Sequence, residues 1–190
     1  MSHYQAAPPA PADARPRGRA ARRPGTLTAL VATSVLSAVS ATIGAVMVFA
    51  GGNGMAEDNI KDVIQDHPDV VGLPSGTSAA DLKALTGPMW DELVSDRAGT
   101  LSARAGFAIF TAVCLLIFGL LARKAAATWS RVLITIFAVV ALIPHLLILD
   151  DYEPDSVMWC SRVAMFAALA AIVLSWLPPV NRYAKQQKLR

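Results

Sequence analysis

The chain has 190 residues, of which 54% are hydrophobic and only 16% are charged, with a formal net charge of +3. Soluble globular domains carry roughly a quarter charged residues, and here the apolar residues are clumped into long runs. The two cysteines, Cys114 and Cys160, form no CxxC pair or Cys/His cluster. This spacing argues against a structural zinc site and a thioredoxin-like redox pair. The composition therefore favours a membrane protein.

Four uncharged apolar runs cover residues 24–56, 105–122, 132–149 and 163–180. About 18 residues is the minimum for a helix that crosses a hydrocarbon core of ~30 Å. Since no backbone group goes unpaired in lipid, each run is predicted to be an α-helix. The first run exceeds the apolar length of a signal peptide, so we expect it to be retained. The predicted fold is an all-α polytopic membrane protein: a bundle of four transmembrane helices with a short helical extracytoplasmic loop.

The predicted segments follow in chain order. They are a disordered basic tail (1–25), the first span (26–50), an extracytoplasmic loop with short amphipathic helices (51–100), the second span (101–122), a cytoplasmic loop (123–130), the third span (131–149), an extracytoplasmic turn (150–156), the fourth span (157–178) and a basic cytoplasmic tail (179–190).

Charge alternates between successive loops and predicts the orientation. The N-terminal tail has five arginines and one acid, and residues 123–131 and 182–190 hold bases without acids. Residues 51–100 hold nine acids and three bases, and the turn at 150–155 has four acids and no base. The positive-inside rule therefore places both termini in the cytoplasm of a multi-pass cell-membrane protein. The Arg-rich tail has no folded reader, so we expect no nucleic-acid partner.

The first loop shows local helix signals. Ile60, Val63 and Ile64 recur at helical spacing, Ser78 is suited to a helix N-cap, and Pro88 suits a first helical position. The helix from Pro88 is predicted to run into the second span. About 50 residues with few large apolar side chains cannot bury an independent core. We therefore expect short helices on the outer membrane surface or capping the bundle.

The acidic turn suggests a metal or acid/base site, but six residues cannot supply the six to eight oxygen ligands of a calcium site. We predict no metal, cofactor or catalytic residue, and expect Arg104 and Arg162 to pair with the acidic loops. His145 is ionisable and lies inside an apolar run, which is a functional hypothesis by default. It is explained equally by a bond to a carbonyl freed by the neighbouring Pro144. The alternative is a membrane enzyme that uses His145 with Asp150 or Asp151.

Small residues line two of the predicted spans. Ser40 and Gly44 in the first span, and Ala164 and Ala168 in the fourth, would let helices approach closely in lipid. Packing within one bundle is the favoured reading, and a membrane-protein partner or a homo-oligomer through these residues stays open. A second alternative is an oligomeric pore or transporter subunit lined by the hydroxyls of Ser37 and Ser40.

Two segments carry a family resemblance: "ARKAAATWSRVLITIFAVVALI" (122–143) and "IVLSWLPPVNRYAKQQ" (172–187). Both resemble small actinobacterial four-span integral membrane proteins, in which a basic inner loop with an aromatic leads into the third span. The resemblance implies a four-span fold and transfers no established activity. We expect a non-enzymatic structural, accessory or interaction component of the bacterial cell envelope, with the lipid bilayer as its first partner.

Overall fold

The computed structural model describes residues 24–125 and 128–188, and their side chains over 24–122 and 128–186. The described chain contains no strand and folds into six helices. These are α1 (Gly25–Asp66), α2 (Ala79–Thr86), α3 (Pro88–Ala125), α4 (Thr128–Asp150), α5 (Asp155–Ser175) and α6 (Pro178–Lys188). Four of them, α1, α3, α4 and α5, are long and apolar enough to cross a membrane. The predicted all-α four-span fold is therefore confirmed, and the chain is a multi-pass membrane protein.

The predicted disordered tail lies outside the described residues, except for its last two positions. The first helix begins there, at Gly25, after Pro24. Part of the predicted loop at 123–130 also lies outside the described side chains.

The four long helices form a closed ring of contacts. Helices α1 and α4 each pack against both α3 and α5. Leu27, Leu30, Leu115 and Ile134 are fully buried in the half of the bundle near the chain termini. Large apolar side chains elsewhere on the same helices, such as Ile43, stay about half exposed. An apolar core with an apolar exterior is what a bundle solvated by lipid requires.

Small residues mediate the contact between α1 and α5. The hydroxyl of Ser40 donates to the backbone carbonyl of Cys160 at 2.8 Å. A Cβ built on Gly44 would lie 3.1 Å from the Cβ of Cys160, and Ala164 and Ala168 are completely buried. The structure thus places these small residues at a contact inside one chain. Their use between copies or with another protein stays a prediction.

Two of the long helices continue beyond the bundle. At 1.5 Å per residue the 38 residues of α3 extend over roughly 57 Å, about twice a hydrocarbon core of ~30 Å, and α1 has 42 residues in two helical parts. Helix α1 breaks at Gly52, whose φ of 50° and ψ of −135° are non-helical, and α3 begins at Pro88 and runs on without a break, as predicted. Residues 52–100 form what we call the loop-end cap.

The cap shares its core with the bundle. Trp90, Val94 and Ile64 of the cap belong to the same buried cluster as Leu101 and Val48 of the long helices. The expectation that this segment caps the bundle without an independent core agrees with this continuity. The cap is therefore held in place by the membrane-spanning part of the fold.

The two prolines after the fourth span open a helix as well as closing one. Helix α5 ends at Ser175, and Pro178 is the first residue of α6. Proline is tolerated in the first helical turn, where its missing N–H has no partner to lose. Val180 and Tyr183 of α6 are buried, whereas Arg182 is exposed. Residues 179–188 of the predicted basic tail thus belong to an amphipathic helix packed on the end of the bundle.

Candidate functional site

The acidic turn between α4 and α5 is occupied by two arginines from α3. Arg97 Nη1 donates to Asp151 Oδ2 at 2.5 Å, and Arg97 Nη2 donates to the Asp151 backbone carbonyl at 2.8 Å. Arg104 Nη1 reaches the same Asp151 oxygen at 2.5 Å and Glu153 Oε1 at 2.9 Å. Two positive and two negative groups therefore balance one another. The expected pairing of Arg104 with an acidic loop is confirmed.

The same network reaches back to α1. Asn59 accepts from Arg97 Nε at 2.8 Å and donates to the Tyr152 carbonyl at 2.7 Å. Tyr152 has a φ of +48°, a conformation that non-glycine residues rarely adopt. Its ring lies 4.4 Å from the His67 ring, measured between centroids. The turn is thus clamped by α1, α3 and the residue that follows α1.

The pKa values of the two carboxyl groups in the network are shifted in opposite directions. Burial raises the pKa of Glu153, whose side chain is only 1% exposed, and this outweighs the hydrogen bond from Arg104. Desolvation also acts to raise the pKa of Asp151, but the hydrogen bonds from Arg97 and Arg104 outweigh it and hold the pKa below its usual value.

Within the described residues, no group of three or more His, Cys, Asp or Glu is arranged to hold a metal ion.

His145 lies inside the bundle beside this network. It is 2% exposed, and its Nδ1 has no hydrogen-bond partner among the described residues. His145 and Glu153 line the same cavity of about 10 Å³, together with Ser161, which is roughly the room of one water molecule. In the enzyme hypothesis His145 acts with Asp150 or Asp151, and the structure places these two acids in other surroundings. Asp150 is exposed, and Asp151 is engaged by the arginines.

Arg162 differs from the expectation that it pairs with an acidic loop. Its guanidinium lies 4.8 Å from the centre of the Trp159 ring, and it forms no ion pair within the described part of the chain. Arginine stacks on aromatic faces as readily as it pairs with carboxylates. Trp159 lies three residues earlier on the same face of α5, so the Arg162 side chain packs against its ring.

A concave groove of about 520 Å³ opens in the loop-end cap. One wall is α1, with Ile60 and Val63, and another is the first turns of α3, with Met89 and Leu93. Further apolar lining comes from the segment after α1 and from Leu82 of α2. Ligand-binding clefts typically enclose 300–1,000 Å³ between mostly apolar walls. The groove is therefore the candidate functional site.

The groove exposes apolar side chains at a point where the chain has left the bundle. Met89 is 70% exposed, and Val70, Val71 and Leu93 are each about half exposed. The lining also includes the carboxylates of Glu92 and Asp96, which are exposed and form no ion pair within the described residues. Contiguous exposed apolar surface with a polar rim is typical of interaction sites.

An ion pair joins helix α2 to helix α1 within the cap. Lys83 Nζ lies 2.8 Å from Glu57 Oε1 on α1, which also pairs with Lys61 at 3.1 Å. The hydrogen bonds from Lys83 and Lys61 lower the pKa of Glu57 to about 2. The predicted N-cap is confirmed, since the Ser78 hydroxyl accepts from the Ala80 N–H. The ion pair and the packing of Ala79 and Leu82 against the buried cluster of the cap hold α2 beside the groove, although α2 contains no fully buried residue.

At the opposite end of the bundle, Arg131 is 4% exposed at the start of α4. Its guanidinium donates to Asn181 of α6 and to the Ser175 carbonyl at 3.3 Å. It also lies 5.6 Å from the centre of the Trp176 ring. These contacts join the start of α4 to the end of α5 and to α6. Arg131 thus has a positioning role at the end where α6 packs.

Sequence reasoning missed Arg97 and the groove. A signal for the arginine pair was present, because Arg97 and Arg104 are seven residues apart and so lie on one face of a single helix. The groove had no comparable signal, since its walls come from separate segments that only the folded cap brings together.

No family model matches the chain, and no curated protein or solved structure matches it.

Proposed function

We propose that the chain is a non-enzymatic interaction component of a cell membrane. In this account four spans anchor the loop-end cap, both termini are cytoplasmic, and the cap's groove receives a partner protein outside the cell. The observation that carries the proposal is the groove itself. Apolar side chains such as Met89 and Leu93 are exposed on a cap that is otherwise fixed to the bundle.

The contacts that hold the cap together support a docking role. Arg97 and Arg104 join α3 to the acidic turn, and the Glu57–Lys83 pair joins α1 to α2. A site held on rigid elements does not lose binding energy to ordering its own walls. The charges of the acidic turn serve this scaffold, which is why we assign them a structural part.

Fewer observations support the two alternatives, a pore lined by serine hydroxyls and an enzyme built on His145. The Ser37 hydroxyl donates to the Ala164 carbonyl at 2.9 Å, and Ser40 bonds to Cys160 in the same way. These hydroxyls therefore face α5, whereas a pore lined by them needs them on an open path. An enzyme built on His145 would need an access route, and the cavity beside His145 holds roughly one water.

The test is purification in mild detergent of the wild-type chain and of two matched variants. Leu93→Asn alters the groove, whereas Leu85→Asn alters an apolar side chain that is 83% exposed and does not line it. We expect a partner that is retained by wild type and Leu85→Asn and lost from Leu93→Asn. Identical sets of co-purifying proteins in all three preparations would contradict the proposal.

A further inference from the structure

We infer that the groove of the loop-end cap receives a basic amphipathic helix, about two turns long, from another polypeptide. The inference rests on the proposed function and names the chemistry of the partner segment. Three features of the cap support it: the partial burial of α2, the length of the groove, and the charge on its rim.

The cap covers helix α2 only in part. Ala79 and Leu82 pack against the buried cluster that contains Trp90 but stay partly exposed, and α2 has no fully buried residue, although a helix in a folded protein normally buries one face. Its Leu82 and Thr86 line the groove, as do Met89 and Leu93 of α3. A helix laid in the groove would cover these side chains and complete the burial of α2.

The dimensions suit a short helix. The α3 wall extends from Met89 to Arg97, which is about 12 Å at 1.5 Å per residue. Helix-in-groove recognition uses apolar anchors at positions i, i+3 or i+4, and i+7 of the bound helix. Such a set of anchors spans about 10.5 Å along the helix axis, so it fits within the groove.

The charge of the cap selects a basic partner. Lys61, Lys83 and Arg97, the three bases of residues 51–100, all pair with acids. Seven of the nine acids in this segment form no ion pair within the described residues, and Glu92 and Asp96 lie on the groove itself. Lysine or arginine beside the apolar stripe of the bound helix would meet these carboxylates. Such complementarity raises association rates and excludes wrong partners.

The same charges disfavour two other occupants. A second copy of the chain would bring an equally acidic cap, and like charges in contact are repulsive. The chain's own residues 1–23 contain five arginines but also four prolines, and they have no apolar stripe at helical spacing. The observations therefore favour a different polypeptide.

The test uses the full chain in nanodiscs of zwitterionic phosphatidylcholine, with empty nanodiscs as the baseline. The probes are three labelled 14-residue peptides. The first has leucines at i, i+3, i+4 and i+7 and lysines elsewhere, the second has glutamates in place of the lysines, and the third has the first composition with the leucines dispersed. Binding is followed by fluorescence anisotropy. We expect the lysine helix to bind at least tenfold more tightly than either of the others, and less tightly at high salt.

Matched variants locate the site. Leu93→Asn should weaken binding of the lysine helix about tenfold, and Leu85→Asn should leave it unchanged. Glu92→Gln combined with Asp96→Asn should weaken it severalfold. Asp62→Asn combined with Asp81→Asn, which removes two acids that do not line the groove, should change it less than twofold.

Each other outcome overturns the inference. Equal affinities for the lysine and glutamate helices would show that charge does not select the partner. Equal loss of lysine-helix binding in Leu93→Asn and Leu85→Asn would show that the helix does not bind in the groove. Binding of octylammonium without binding of any peptide would assign the groove to a small cationic amphiphile. If a partner from native membranes is lost in Leu93→Asn while the peptides show no preference, docking stands and the basic helix does not.

Discussion

Arg97 holds Asp151 from two directions: Nη1 binds the carboxylate at 2.5 Å and Nη2 binds the backbone carbonyl at 2.8 Å. The contact joins a helix of the cap to the turn between the last two spans. A side-chain charge thereby fixes both the position and the backbone conformation of that turn. The contact adds to the shared core and the continuous α3 in joining the loop-end cap to the bundle.

Replacing Arg97 by methionine should destabilise the chain by about 1–3 kcal/mol, since it removes one of the two arginine donors to the Asp151 carboxylate and the donor to the Asp151 carbonyl. Arg97 is 16% and Asp151 40% exposed at the side chain, which places the loss below that of a fully buried pair. Thermal unfolding in mild detergent, followed by tryptophan fluorescence, measures it.

Arg162→Met is the control for this change. Arg162 lies at the same end of the bundle and stacks on Trp159 without an ion pair in the described chain, so its loss should be well under that of Arg97. Equal losses for the two variants would show that the network does not hold the cap.

Gly52 gives the second prediction. Its φ of 50° and ψ of −135° lie where only glycine is unstrained, so Gly52→Ala should cost about 1–3 kcal/mol. Gly54→Ala is the matched control, because Gly54 is helical and a Cβ there meets nothing within 4 Å. That change should be neutral or stabilising by up to about 1 kcal/mol. Thermal unfolding of the two variants compares them, and a tolerated Gly52→Ala would mean that α1 has no sharp break.

Acid should weaken the attachment of α2. The pKa of Glu57 is about 2 in the folded chain, below its ordinary value of 4.5. A carboxylate with a lowered pKa stabilises the fold above pH 4.5 and loses that contribution as the pH falls toward 2. Thermal midpoints of wild type should therefore fall more steeply than those of Glu57→Gln between pH 4.5 and 2. Asp62→Asn removes an acid outside any ion pair in the described chain, and its profile should be parallel to wild type. Parallel profiles for wild type and Glu57→Gln would contradict the ion pair.

The sequence was sufficient for the spans because the hydrocarbon core requires long apolar helices, and those runs are visible without a fold. Local signals also sufficed for the helix starts at Ser78 and Pro88, since capping and proline preferences act over one turn. The pairing of Arg104 followed from its position near the outer end of the second predicted span, on the same side as the acidic loops.

Long-range geometry explains what sequence reasoning missed. Asp96 and Arg97 are adjacent, and the sequence shows them only as part of the charge balance of residues 51–100. The break at Gly52 and the continuous α3 bring Arg97 against a turn more than 50 residues away. The groove depends on the same folding. The helix that begins at Pro178 was not predicted, because it is short and polar.

The proposed orientation predicts different reagent access at the two ends. In a cysteine-free background, Ser75→Cys lies in the cap and Gln186→Cys in α6, and both positions are exposed. In intact cells a membrane-impermeant maleimide should label residue 75, and it should label residue 186 only after permeabilisation. The reverse pattern would place the cap in the cytoplasm and contradict the orientation.

Photo-cross-linking in native membranes tests the central claim most directly. A photoreactive residue at position 93 lies in the groove, and the same residue at position 85 lies on an exposed apolar site of the cap outside it. The account predicts one defined cross-linked protein from position 93, absent from position 85 and reduced by Met89→Asn. Identical products from the two positions, or no protein product from position 93, would contradict it.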